Sequence, residues 1–125
     1  MCCEGSSWST KRFLASIKPG VKYISGWKVL APNGQSLHLG YQYSPGTHTA
    51  AVNVDTYPEP CTGIHFYTGR PIYLRIGIPV RVRVRPEDIS LVSCEGDEAV
   101  ATRIQIETRE WIRAGLPMPQ KRQAI

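Results

Sequence analysis

The sequence lacks the features that mark membrane and secreted proteins. No apolar run approaches the roughly 20 residues that a membrane-spanning helix needs, so the chain is not expected to span a bilayer. Its first residues, MCCEGSSW, carry neither the basic segment nor the apolar core of a secretory signal. The adjacent Cys2 and Cys3 could bond each other only with strain, and Cys61 and Cys94 complete no disulfide framework. These absences predict a reduced, intracellular protein.

The sequence also lacks the paired cysteine and histidine motifs of structural zinc sites. Cys61 and His65 stand four residues apart, and a set of ligands could be completed by His38, His48, Cys94 and the Cys2–Cys3 pair. Such sites are usually built from two closely spaced pairs, and only one loose pair is present. A nucleophilic Cys61–His65 couple has no evident partner to orient the histidine. We therefore predict no metal and interpret Cys61 as a small packed residue ahead of a strand.

What is present is the composition of a single domain with a basic surface. At 125 residues, with 42% hydrophobic and 20% charged residues, the chain is ordinary for one such domain. The 15 Lys and Arg residues outweigh the 10 Asp and Glu residues, a formal net charge of +5 that favours acidic partners or nucleic acid. We expect one domain over residues 1–125, with its core in 21–107 and a mobile tail over 116–125.

The first third of the chain predicts a short helix followed by a hairpin. Ser9 or Thr10 can cap a helix in SSWSTKRFLASIKPG, which the Pro-Gly pair would end. In VKYISGWKVL, Trp27 and its apolar neighbours alternate with lysines such as Lys28, which predicts a strand with a bulge at Gly26. The Asn-Gly pair that follows predicts a tight turn, with LHLGYQY as the returning strand.

The remainder predicts short antiparallel strands and a closing helical turn. GIHFY, the long alternating run RPIYLRIGIPVRVRVRPEDISLV, in which Val80, Val82 and Val84 continue the apolar face of Ile72 to Ile78, and VATRIQIE each have the pattern of a strand. Pro79 should break or bulge the second, and the third should present one apolar face through Thr102. Thr108 can cap a helical turn, REWIRAG, that Gly115 ends. The predicted fold class is α+β and mostly β: a compact antiparallel sheet of five to seven strands, with a short N-terminal helix and a short C-terminal helical turn.

Two sets of side chains are candidate binding residues, and the first lies on the GIHFY strand. If Ile64 and Phe66 face the core, then Gly63, His65 and Tyr67 form a polar and aromatic surface on the opposite side. An ordinary half-exposed strand face is the alternative.

The second set consists of Arg81, Arg83 and Arg85, which line one face of the next strand and could hold phosphates. They could equally form a solvated edge, or pair with Glu107 or Glu110 across the sheet. No aromatic residue is interleaved with these arginines along the strand, so the sequence supports single-strand recognition only weakly. A protein is therefore the expected partner, and nucleic acid is the less supported one.

The order of several short motifs resembles a small domain of phages and giant viruses that is found with phage pentapeptide-repeat proteins. The matching residues are Cys61, the run Gly63, Ile64, His65 and Phe66, and the triplet Pro86, Glu87 and Asp88. The resemblance covers residues 22–107 and carries no established activity. It implies an accessory binding protein in the cytoplasm of a host cell, or associated with a virion, that could block a host defence system. A structural or assembly subunit of a virion is an alternative.

A more distant similarity is to ADP-ribosyltransferases, which hold NAD between two strands and a late glutamate. In the matching order this chain offers His38, His65 and Tyr67, and then Gln105 and Glu107 as a Q-x-E-like pair on one strand face. The resemblance implies that Glu107 would stabilise the oxocarbenium-like sugar of NAD. The leading interpretation expects neither enzyme activity nor a cofactor, and NAD-dependent transfer is the alternative.

Overall fold

The computed structural model describes residues 7–37, 40–50, 63–71, 77–93 and 96–118. Within them a short helix, α1 (Ser7–Ala15), precedes the strands, and a second, α2 (Thr108–Arg113), follows them. The strands are β1 (Ile24–Leu30), β2 (Gly46–Thr49), β3 (Ile64–Tyr67), β4 (Ile78–Val84), β5 (Ile89–Val92), β6 (Glu98–Ala101) and β7 (Arg103–Ile106). One turn of 3-10 helix, Pro86–Asp88, joins β4 to β5. All strand pairs are antiparallel, so the predicted fold class is confirmed. No helix in these ranges is long and apolar enough to cross a membrane.

The sheet is strongly curled, because two strands that lie far apart in its order, β6 and β7, are joined by a single residue. Its strands lie in the order β2-β7-β4-β1-β3-β6-β5. Thr102 alone separates β6 from β7 along the chain, yet three strands lie between them in that order. The N–H of Thr102 donates to the carbonyl of Asp88 at 2.8 Å, and its own carbonyl accepts from Ala50 at 2.9 Å. The sheet therefore has an enclosed inner face, which holds the core, and an outward face.

The turn at Thr102 changes which residues face the core. Ala99 and Ala101 belong to the core before it, and Ile104 and Ile106 belong to the core after it. The exposed Thr102 is thus the extra residue that shifts the alternation by one position. The predicted single strand with one apolar face is wrong here, because its two halves pair with different neighbours, β3 and β4.

Gly26 gives a core ring the space that it needs beside β1. The strand pairs with β4 residue for residue along its whole length, so the predicted bulge at Gly26 is absent. A Cβ atom at this position would lie 2.5 Å from Cδ2 of Phe66 and 3.0 Å from the carbonyl oxygen of Tyr67. The same unbroken register includes Pro79 opposite Val29, near the start of β4. No bulge is present at Pro79, because proline is tolerated near the beginning of a strand; residues 72–76, the first half of the predicted strand, lie outside the described residues.

Lys28 points into the core, which reverses the facing predicted for β1. It shares the inward face of the strand with Gly26, and only 7% of it is exposed. Its Nζ donates to the carbonyl oxygen of His65 at 2.8 Å and lies 5.6 Å from the ring centroid of Tyr43. A buried ammonium group is tolerated only with hydrogen-bonding partners of this kind. Because successive side chains of a strand alternate, Trp27 lies on the outward face.

The turn predicted at the Asn-Gly pair forms, but it does not lead into a full strand. The N–H of Ala31 donates to the carbonyl of Gln35 at 2.8 Å, which closes the turn. Beyond it, the described residues make isolated bridges, such as Gln35 opposite Gln42, instead of a continuous ladder. His38 and Leu39, in the middle of the predicted returning strand, lie outside the described residues.

Helix α1 covers one edge of the sheet. It begins at Ser7, so Ser9 and Thr10 lie inside the helix and not at its predicted cap. The Ser9 hydroxyl donates to the carbonyl of Val92 at 3.1 Å, and the Thr10 hydroxyl accepts from the N–H of Val92 at 3.0 Å. Because Val92 lies on the edge strand β5, these bonds satisfy backbone groups that another chain could otherwise pair with.

The C-terminal segment is held to the body of the fold as far as Pro117. Helix α2 follows Glu107, which occupies the N-cap position without a side-chain cap, so capping by Thr108 is not observed. Trp111 is fully buried, and its Nε1 donates to the carbonyl of Pro117 at 3.1 Å. Leu116 also lies in the core, although the predicted tail begins there. Residues 119–125 of that tail lie outside the described ranges.

His48 joins β2 to the segment that precedes it. The ring is buried, its Nε2–H donates to the carbonyl of Ser44 at 2.7 Å, and its Nδ1 accepts from the hydroxyl of Tyr41 at 2.9 Å. The ring of Tyr43 packs against it edge-on, with 4.9 Å between the centroids. Burial lowers the pKa of His48 below its ordinary value, and the bond to Ser44 opposes that shift. Burial in the fold therefore favours the neutral form of the ring.

We expect the free energy of unfolding to fall as the pH is lowered below 6.5, the ordinary pKa of histidine. In that range the unfolded chain binds a proton at His48 that the folded chain does not bind, so protonation favours unfolding. Urea unfolding followed by circular dichroism measures the effect, with His48→Gln as the comparison. The variant should be less stable at neutral pH by about 1 to 3 kcal/mol. Its free energy of unfolding should also depend less steeply on pH than that of the wild type. An identical pH dependence in both proteins would contradict this.

Candidate functional site

The GIHFY strand divides its residues between core and surface as its alternation predicts. Its two apolar residues are buried in β3, whereas His65 and Tyr67 are half-buried on the outward face. Gly63 is itself buried, and a Cβ atom there would overlap the Cγ1 methyl group of Val100. Its φ of +145° is also one that residues with a side chain rarely adopt. Of the three candidate residues, His65 and Tyr67 therefore present the side chains of this surface.

Trp27 lies between Tyr67 and Arg81 at the centre of the outward face. The register sets Trp27 opposite Tyr67 of β3 on one side and opposite Arg81 of β4 on the other. Tyr67 in turn pairs with Glu98 of β6. The row of paired residues therefore spans four strands, in the order β4, β1, β3 and β6. The guanidinium carbon of Arg81 lies 5.6 Å from the centroid of the Trp27 ring, and that of Arg70 lies 5.3 Å from it. Both distances are within the range of cation–π interactions.

A second pair of ring and arginine lies beside this row. Tyr23 immediately precedes β1, and the guanidinium carbon of Arg83 lies 4.0 Å from its ring centroid. Arg83 also makes the ion pair that the sequence left open, because its Nη1 lies 3.8 Å from Oε2 of Glu107. Both side chains of that ion pair remain about one-third exposed, so it is accessible from solvent.

We call this surface the arginine–aromatic face; it consists of Tyr23, Trp27, Tyr67, Arg70, Arg81 and Arg83. No aromatic residue stands among the arginines along β4, but rings from β3, from β1 and from Tyr23 just before β1 lie beside them on the same face. Within the described ranges, Arg70 and Arg81 have no carboxylate partner, unlike Arg83. Their N–H groups are therefore available to an anion from outside.

Arg85, the third arginine of the candidate set, lies one residue beyond β4. It forms an exposed ion pair with Glu87. Its hydrogen bond to that carboxylate raises the pKa of Arg85, and the pKa of Glu87 is lowered by its own backbone N–H and by Arg85. An exposed pair of this kind contributes little to stability, so another anion can replace Glu87 at small cost.

The residues assigned by the similarity to ADP-ribosyltransferases do not all lie in one hollow. Gln105 lies on β7 opposite Arg83, and Glu107 follows the same strand and lines a hollow beside Tyr23. His65 lines a different hollow, formed with residues of β5 and β6. His38 lies outside the described residues.

The potential zinc ligands are only partly described. In the described ranges, no three His, Cys, Asp or Glu side chains are grouped so that they could hold a metal ion. His48 has both ring nitrogens in hydrogen bonds within the fold. Cys61 and Cys94 lie outside those ranges, as does His38.

Comparisons with known proteins identify no relative. The sequence matches no family model, and searches of curated proteins and of solved structures find no match. The resemblances to the phage and giant-virus domain and to ADP-ribosyltransferases therefore stay predictions, and the geometry of the arginine–aromatic face carries the functional argument.

Proposed function

We propose that the chain is a non-enzymatic binding module that holds single-stranded nucleic acid on its arginine–aromatic face. The observation that supports this most is the packing of two guanidinium groups, those of Arg70 and Arg81, against the half-buried ring of Trp27. Neither guanidinium group has a carboxylate partner among the described residues, and Tyr67 continues the same row of side chains.

Rings and guanidinium groups in this arrangement suit the two parts of a nucleotide. A base can stack on an aromatic ring whatever its identity, because every base has a π-face. An arginine packed against a ring keeps its planar fork of N–H donors ordered, and that fork matches the oxygens of a phosphate. A duplex hides the faces of its bases, whereas a single strand exposes them. The rings therefore favour a single strand as the ligand.

The surroundings of the face agree with an anionic ligand that carries flat groups. The chain has a formal net charge of +5, and the carboxylates Glu98 and Glu107 lie at the borders of the face. An acidic protein segment would engage the arginines but would leave the rings of Tyr23, Trp27 and Tyr67 without partners of their own kind. We keep the accessory role in a phage or giant virus as the proposed setting, in which the module would act on viral or host strands.

Removal of both arginines that pack on Trp27 should weaken binding and reduce its dependence on salt. In a protein with Arg70→Ala and Arg81→Ala, two phosphate contacts are lost, so the slope of log K against log salt should shrink by about 1.4. Affinity at low salt should fall roughly tenfold or more. Fluorescence anisotropy of a labelled strand of about 12 nucleotides, titrated at several salt concentrations, measures both quantities.

A protein with Arg12→Ala and Arg113→Ala is the matched control, because it loses the same charge from helices α1 and α2. It should keep most of the wild-type affinity. Equal losses in the two double variants would show that only the net charge matters and would contradict the proposed face. A duplex of the same sequence bound as tightly as the single strand would contradict the preference for single strands.

A further inference from the structure

A hollow of about 110 Å³ opens beside the arginine–aromatic face, where β2, β7 and β4 run side by side. Tyr23 and Arg83 belong both to the face and to this hollow, so a strand bound on the face can continue into it. The polar side chains that line it are Thr47, Arg83, Arg85, Asp88, Arg103 and Gln105. The lining of the hollow therefore contains three guanidinium groups and a single carboxylate, that of Asp88.

Hydrogen-bond donors form a row across this hollow. Thr47 of β2 stands opposite Gln105 of β7, and Gln105 stands opposite Arg83 of β4. Arg103, at the start of β7, has no carboxylate partner among the described residues, and Arg85 has only its exposed partner on the 3-10 helix. Hydroxyl, amide and guanidinium donors that converge in this way suit the oxygens of a phosphate group.

Asp88 adds an acceptor that has no donor. The residue is half-buried, and its backbone carbonyl is engaged by the N–H of Thr102 at 2.8 Å. Its side-chain oxygen Oδ2 is buried and, within the described ranges, is the one buried side-chain oxygen or nitrogen without a hydrogen-bond partner. Buried polar atoms almost always have such a partner, and Asp88 lines the hollow, so a ligand there can supply a donor to this carboxylate.

From this juxtaposition we infer that the hollow takes a ribonucleotide unit, and that the strand bound by this protein is RNA and not DNA. The inference rests on the proposed function and names its ligand class. In RNA each 2′-hydroxyl lies next to the phosphate on the 3′ side, so a phosphate held by Arg83, Arg85 and Arg103 brings a hydroxyl donor close to it. The 2′-hydroxyl is the group by which proteins distinguish RNA from DNA, and it supplies the donor that Asp88 lacks.

The test compares labelled ribo- and deoxyribo-oligoadenylates of about 12 nucleotides, which carry the same bases. The wild type should bind the ribo strand roughly tenfold more tightly, as expected for one hydrogen bond to a charged group. Asp88→Ala should bring the two affinities close together without weakening the binding of DNA. Asp88→Asn, which keeps the shape of the side chain, is the second variant, and thermal unfolding verifies that both are folded. In Arg103→Ala, binding of both strands should weaken.

The outcomes separate the two proposals. Binding of neither strand by the wild type would overturn the proposed function itself. Equal affinities for RNA and DNA in the wild type, or an unchanged preference in both Asp88 variants, would overturn the ribonucleotide site and leave the single-strand module standing. Displacement of RNA by an equal nucleotide concentration of adenosine 3′-monophosphate would show that the hollow takes free nucleotides, and would overturn the assignment to a strand.

Discussion

A Trp27→Ala variant is expected to bind single-stranded nucleic acid about 10- to 100-fold more weakly than the wild type. The ring lies at the centre of the arginine–aromatic face, and its loss removes the surface on which a base stacks. It also removes the support against which Arg70 and Arg81 pack, so their donors become less ordered. The net charge stays the same, so the slope of log K against log salt should remain close to that of the wild type. Loss of affinity with an unchanged slope distinguishes this variant from the arginine pair.

Trp27→Phe is the matched variant, because it keeps a ring at the same position and should retain most of the affinity. Anisotropy titrations with the same labelled strand compare the three proteins. The free energy of unfolding of Trp27→Ala should change by less than about 1 kcal/mol, since the ring is only half-buried on the outward face. Wild-type affinity in a folded Trp27→Ala protein would contradict the central role of this ring.

The alternation within β3 and β4 could be predicted from the sequence because it depends on neighbours along the chain. Val80, Val82 and Val84 are buried, and Arg81 and Arg83 lie between them on the other face, as the pattern indicates. The same holds for the two apolar residues of β3. In these strands every second residue is apolar, and apart from Pro79 the residues between are polar or aromatic, so only one facing buries the apolar set.

The facing of β1 could not be predicted in this way. Its sequence offers Trp27 and Lys28 as neighbours, and the usual preference places the ring inside and the ammonium group outside. The fold does the opposite, because Nζ of Lys28 finds the carbonyl of His65 and the ring of Tyr43 inside the sheet. Those partners come from distant parts of the chain, and no local pattern contains them. Because the faces of β1 point opposite to the prediction, the ring of Trp27 lies on the outward face of the sheet.

The candidate site could not be predicted in full from the sequence either, for a second reason. Tyr67 and Arg81 were each visible as candidates within a single strand, but the residue that joins them belongs to β1. The register of β1 with β3 and with β4 sets Trp27 opposite both, and these three strands come from distant parts of the chain. The residues of β4 alone therefore indicate positive charge but no aromatic rings. Pairing of the strands, and not their composition, creates the face.

Trp111→Ala is expected to lower the free energy of unfolding by about 3 to 5 kcal/mol, a large part of the 5 to 15 kcal/mol typical of a domain. The side chain is fully buried, and its Nε1 donates to the carbonyl of Pro117. A Cβ atom on Gly34 would lie 2.8 Å from Cη2 of the ring, so the ring is tightly packed on that side. Removal of the ring leaves a cavity and also releases the segment that contains Leu116. Urea unfolding followed by far-UV circular dichroism measures the change.

Trp27→Ala is the control, because it makes the same substitution on the outward face and should cost little stability. If Trp111→Ala is too unstable to purify, Trp111→Phe, which keeps an aromatic ring but loses the bond to Pro117, should still show a loss of about 1 to 3 kcal/mol. A folded Trp111→Phe protein should bind the labelled strand as the wild type does, whereas Trp27→Ala should not. Equal stability losses at the two tryptophans would contradict the division into an inner face that stabilises the fold and an outward face that binds.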